Sequence, residues 1–104
     1  MPTLRTEVTH SLPVADAVLR LRGLASRLRA RHAGRIDDVD EWWGRDRGEL
    51  RLTLSGVRVK ADVDVQADRV CVRAEVPLLA LAFRGAIEDA VRSEIRTCLG
   101  GGAS

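Results

Sequence analysis

The sequence predicts an α+β fold, a two-layer sandwich with an antiparallel sheet of about five strands and two helices on one face, in the order β-α-β-β-β-β-α. Three observations carry this. Every clear strand segment alternates, with a single apolar face. Each helical segment has a single apolar stripe. The connections between the later strands are too short to cross the sheet, so those neighbours must be antiparallel.

The elements follow in order. Thr3 to Thr9 alternates, with Leu4, Thr6 and Val8 on one side and Arg5, Glu7 and Thr9 on the other. His10-Ser11-Leu12-Pro13 breaks it; Ser11 is a candidate helix cap and Pro13 suits a first turn. From Pro13 to about Ala33 the period becomes helical. Val14, Ala17, Val18, Leu21, Leu24, Ala25 and Leu28 form one stripe, weakened slightly at Gly23, and Gly34 stands where a left-handed cap belongs. Ile36 to Trp43 reads as a strand despite Asp37, Asp38 and Asp40, which are poor strand formers. Gly44 to Gly48 is a turn. Leu50–Leu54, Val57–Val65 and Val70–Val76 are alternating strands, joined at Ser55-Gly56 and at Gln66-Ala67-Asp68. After Pro77, Leu78 to Phe83 leads into a second helix ending near Leu99. Its stripe is Phe83, Ile87, Val91, Ile95 and Leu99, and Glu88 and Arg92 form an i,i+4 pair outside. Residues 1–99 read as one domain and residues 100–104 as a flexible Gly-rich tail.

Composition bounds the function. At 104 residues with 45% apolar content, the chain can build a core without disulfides or metal. Aromatic residues are 3%, so that core is aliphatic. The longest apolar run, Leu78 to Phe83, is far short of the ~20 residues of a membrane span. No secretory signal pattern opens the sequence. Cys71 and Cys98 lack CxxC spacing and read as small buried or half-buried residues of a reducing cytoplasm. All but one of the 17 basic residues are Arg, the exception being Lys60, yet the net charge is only +2. That bias fits either a genomic codon preference or a surface that grips phosphate or carboxylate.

Candidate chemistry is sparse. His10 and His32 bracket the first helical segment, roughly 30 Å apart at 1.5 Å per residue, and cannot share a metal or a triad. His10 reads as a satisfied turn residue. Asp37, Asp38, Asp40 and Glu41 match no calcium loop and read as a solvated acidic edge. No phosphate-loop, nucleophile-elbow or zinc motif is present, so an enzyme is not expected, and no cofactor or metal is assigned. Trp42 and Trp43 are adjacent in a strand, so one enters the core and the other lies over the polar face or an edge, either as a contact residue or beneath neighbouring Arg side chains.

His10-Ser11-Leu12 followed by Ala17, Trp42/Trp43 before Gly44, Leu50 through Gly56-Val57, and Phe83-Arg84-Gly85-Ala86-Ile87-Glu88 occur in a characteristic order. In this the chain resembles the polyhydroxyalkanoic acid system family, small bacterial proteins encoded beside polyhydroxyalkanoate genes, from about Leu4 to Leu99. The stretch from Gly34 to Glu41 departs from the pattern in being longer and more acidic. The resemblance implies a role near storage-polyester granules and no known reaction or catalytic residues. His10, Trp42, Trp43, Gly56, Phe83 and Gly85 are its signature positions, with Gly56 expected to serve a turn, Gly85 a close helix approach and Phe83 the core.

The expected function is therefore that of a non-catalytic accessory protein associated with polyhydroxyalkanoate granules or their proteins. Its candidate contact surface is Trp42, Trp43, Leu78, Leu79, Arg51, Arg58 and Arg73. The segment from Leu78 to Phe83 reads either as a docking element or as a core-facing helix entry. Competing functions are an Arg-rich binder of nucleic acid or another anionic partner, and a carrier of a small apolar ligand between sheet and helices. A homodimer is compatible with each.

Overall fold

The computed structural model describes residues 2–100, the Leu79 side chain excepted; residues 101–104 of the expected tail lie outside the described residues. Nine elements follow in order: β1 (Thr3–Thr9), α1 (Val14–Leu21), α2 (Leu24–Arg31), β2 (Ile36–Trp43), β3 (Arg47–Leu54), β4 (Val57–Val65), β5 (Arg69–Glu75), a 3-10 segment (Leu78–Phe83) and α3 (Arg84–Cys98). The strands form one antiparallel sheet in the order β1-β5-β4-β3-β2. α3 packs on β1, α2 on β2 and β3, and α1 on β4, and the helices also touch one another, so all lie on one face. The α+β architecture and element order are those the alternation predicts.

The core is aliphatic, as a sequence this poor in aromatic residues requires. Leu21, Leu24, Ile95, Val63, Val70 and Val76 are its largest fully buried members. Val72 is buried and Val59 half-buried against a smaller cluster of Leu4, Ala74 and Val76. The alternation places these side chains inward because β-strand side chains change face at every residue.

Three details correct the sequence reading. The long first helix is two helices of eight residues each, broken at Gly23. Gly23 adopts φ +91, a left-handed conformation open to glycine at little cost, and that turn redirects the chain. The stripe stayed in phase across the break, which is why periodicity alone did not reveal it. Ser11 does not cap α1; the residue at that position is Pro13, and its carbonyl accepts Ala17 N–H at 3.0 Å. Glu88 pairs with Arg84 at 3.5 Å, while Arg92 turns to Asp89 at 3.6 Å, in place of the expected Glu88–Arg92 contact.

β2 holds the decisive irregularity. Asp37 faces Thr53 and Asp40 faces Arg51, so β2 carries one more residue than β3 between these two pairs. This is a β-bulge, and Asp38 within it has φ +49. The extra residue advances the pleat by one. Ile36 points inward before it; Val39, Glu41 and Trp43 point inward after it, with Asp40 and Trp42 outward. Asp is among the residues that tolerate this backbone region, and a β-branched residue is not. Asp38→Val is expected to lower stability by about 1–2 kcal/mol, and Asp38→Gly to leave it level or raise it, in urea unfolding followed by circular dichroism.

Candidate functional site

The bulge brings Glu41 beneath the break between α1 and α2. Its Oε1 accepts the Ala25 N–H at 2.9 Å, and its Oε2 accepts the Gly23 N–H at 2.5 Å and the Trp43 indole N–H at 2.7 Å. The first amides of a helix have no partner within it, and Gly23 has no side chain to cap them. Glu41 supplies that cap from the sheet, with a negative charge at the positive end of the helix. On the other side of the break, the Arg27 guanidinium donates to the carbonyls of Arg20 and Arg22 at 3.1 and 3.2 Å, closing the end of α1, and touches Cys98 Sγ at 3.2 Å. Arg31 contacts Glu94 of α3, a carboxylate only 2% exposed. Two arginines of the first helical segment thus hold the helix layer together.

A shallow, solvent-open depression of about 240 Å³ lies at this break, lined by Gly23, Ala25, Ser26, Val39, Asp40 and Glu41. Its lining is mostly polar, and it is smaller than the ~300 Å³ of a ligand pocket. It does not support an apolar-ligand carrier.

Trp43 is half-buried over Gly48, where a Cβ would stand 2.5 Å from its ring. Trp42 turns outward, 60% exposed, with its ring close to Gly44. Arg51, Arg58 and Arg73 share this outer face with Trp42, but acids are interleaved with them. Across the strands, Trp42, Glu49, Asp62, Arg73 and Arg5 form one row, and Asp40, Arg51, Lys60 and Glu75 the next. Glu49 lies 3.2 Å from both Arg51 and Lys60. The face is patterned in both signs, not a positive field.

The segment Leu78–Phe83 divides its side chains. Ala80 and Leu81 pack on the cluster of Leu4, Ala74 and Val76, while Leu78 and Phe83 stand 75% and 66% exposed. Phe83 is therefore not the core residue the helical stripe predicts: the 3-10 turn ends on it, and the core-facing stripe of α3 starts at Ile87. The Leu79 side chain lies outside the described residues. Gly85 is open, with nothing within 4 Å of a Cβ, so it serves no close approach. Gly56 does form the expected turn, at φ +83 after Ser55 at φ +50. Trp42 faces outward from β2, on the strand at the opposite edge of the sheet from β1, whereas Leu78 and Phe83 belong to the segment whose Ala80 and Leu81 pack on the cluster of Leu4, Ala74 and Val76.

His10 is fully engaged: its Nε2 lies 2.7 Å from the Gln66 carbonyl, and its Nδ1 accepts Leu12 N–H at 3.1 Å. These contacts require the neutral ring protonated at Nε2, and they tie the β1–α1 link to the β4–β5 turn. Among the described residues no group of three potential metal ligands occurs. Arg69 hydrogen-bonds Asp68 and holds its carboxyl below the usual range. Burial pushes both thiols up, opposed at Cys98 by Arg27 and reinforced at Cys71 by Glu7.

Glu41 is the functional-looking group that sequence reasoning assigned to a solvated edge. The signal was the pair itself: an inward Trp43 requires an inward residue two positions earlier. Glu41→Ala is expected to cost about 2–3 kcal/mol in denaturant unfolding and to red-shift the tryptophan emission, with Glu41→Gln intermediate. Both thiols are expected to react with iodoacetamide at pH 8 several-fold more slowly in the native chain than in urea, read by mass spectrometry.

No curated protein matches the sequence. A solved structure described as "Crystal structure of Ara h 8.0201" overlaps 92% of this chain and 98% of that chain at 10% identity, with a TM-score of 0.36, too low to carry an argument. A family model described as "Putative polyhydroxyalkanoic acid system protein (PHA_gran_rgn)" matches residues 4–99, and by that match the chain belongs to the polyhydroxyalkanoic acid system family.

Proposed function

We propose that this chain is a non-catalytic accessory protein of polyhydroxyalkanoate granules that docks on the polyester surface from the cytoplasm. Family membership supplies the context. The observation that carries the reading is the split 3-10 segment: Ala80 and Leu81 root it in the core, and Leu78 and Phe83 project from it into solvent. From Val76 to Phe83 the chain has no charged residue, although 31% of the whole is charged. Large apolar side chains held outward on a rooted turn gain free energy when an apolar surface covers them. Covering the exposed parts of one Leu and one Phe contributes about 2–4 kcal/mol toward reversible docking. The non-catalytic part of the reading is supported by His10, whose two ring nitrogens are both committed to the backbone.

Co-sedimentation with purified polyester granules tests this. The wild-type chain is expected in the pellet. The double variant Leu78→Asp/Phe83→Asp is expected in the supernatant with an unchanged melting temperature, because both side chains are exposed in the fold. Wild-type protein left wholly in the supernatant overturns the proposal.

A further inference from the structure

The two edges of the sheet are built differently. The β2 edge carries the bulge and three aspartates, devices that discourage another strand from pairing. The β1 edge has none of these. It runs straight for seven residues, in unbroken register with β5, with no proline, no bulge and no charge on its inward face. α3 covers the helix-side face of β1, and Thr3, Arg5, Glu7 and Thr9 are exposed.

The backbone polarity of this edge is set by its ends. Val76 N–H donates to the Pro2 carbonyl and His10 N–H to the Asp68 carbonyl, so the even-numbered residues of β1 bond to β5. Thr3, Arg5, Glu7 and Thr9 therefore turn their N–H and C=O groups away from the sheet. The sequence of this strand, Thr3-Leu4-Arg5-Thr6-Glu7-Val8-Thr9, is complementary to its own reverse about Thr6.

We infer that β1 is a homotypic interface: a second copy of the chain pairs antiparallel with it about a two-fold axis at Thr6, continuing the sheet from one copy into the other. In that register Arg5 lies opposite Glu7 of the second copy, and Thr3 opposite Thr9 of the second copy. Only outward-turned residues meet as hydrogen-bonded pairs, so every outward N–H and C=O of the four is satisfied. On the helix side, Leu4 lies opposite Val8 of the second copy and Thr6 meets Thr6 at the axis. Neighbouring registers fail. A one-residue slip sets outward groups against inward ones. A two-residue slip places Arg5 against Arg5, or Glu7 against Glu7, at the axis. Opposite charges across the strands select the remaining register.

Analytical ultracentrifugation tests the interface, with circular dichroism confirming folding. The wild-type chain is expected to move, with rising concentration, from the 11.4 kDa monomer toward twice that mass. Arg5→Glu and Glu7→Arg are each expected to be monomeric, since each sets like charges opposite one another twice. Mixing the two variants restores opposite charges at every pair and is expected to return a dimer, as is the double swap Arg5→Glu/Glu7→Arg. If Glu7→Arg unfolds through loss of its Arg69 contact, the exposed Arg5→Glu carries the test together with amide exchange. Arg5 and Glu7 amides are expected to become protected as concentration rises. A wild-type chain that stays monomeric, or a dimer indifferent to Arg5→Glu, overturns the inference.

Discussion

One carboxylate ties the two layers together. Glu41 reaches from the sheet into the gap between α1 and α2 and accepts three donors: two unpaired helix amides and the Trp43 indole. Without an acceptor there, α2 would begin with partly buried unpaired amides, a cost comparable to a lost hydrogen bond for each. With it, the Gly23 turn becomes a defined joint, closed on the α1 side by Arg27. The helix layer bends at a point where the sheet holds it.

That arrangement depends on the bulge at Asp38. The added residue shifts the pleat, so Glu41 and Trp43 face the helices while Trp42 faces water. Gly48 completes it, because the Trp43 ring occupies the space a Cβ would need. The same irregularity blunts the β2 edge, leaving β1 as the straight, unguarded one. A single inserted residue therefore orients the tryptophans, positions the cap and makes the two edges unequal. The surfaces then divide by chemistry. The outer sheet face alternates acids and arginines, and such exposed pairs contribute little stability each while keeping the field balanced. Leu78 and Phe83 are exposed on the 3-10 segment that Ala80 and Leu81 root in the core.

Much of this was legible in the residues. Alternation in Thr3–Thr9, Leu50–Leu54, Val57–Val65 and Val70–Val76 reports which face is buried, because the period of two is a property of the strand itself. The Ser55-Gly56 turn and the amphipathic helices are local in the same sense. Glu41 was not legible in this way. Its partners, Gly23 and Ala25, lie 18 and 16 positions away, and the bulge that points it inward leaves the composition unchanged. Phe83 fits the helical spacing of Ile87 and Val91, yet the tighter 3-10 geometry before α3 turns it out of that stripe.

What the sequence determined alone is the set of one-sided elements and their antiparallel order, since periodicity and short connections are written residue by residue. The resemblance carried by its motifs likewise pointed to the family that the match over residues 4–99 shows. The tertiary structure decided where the phase changes: at Gly23, at Asp38 and at the start of α3. At each place the backbone leaves its regular period because a distant partner satisfies it: the Glu41 cap from the sheet at the first, the pairing with β3 at the second, and the cluster of Leu4, Ala74 and Val76 beneath Leu81 at the third.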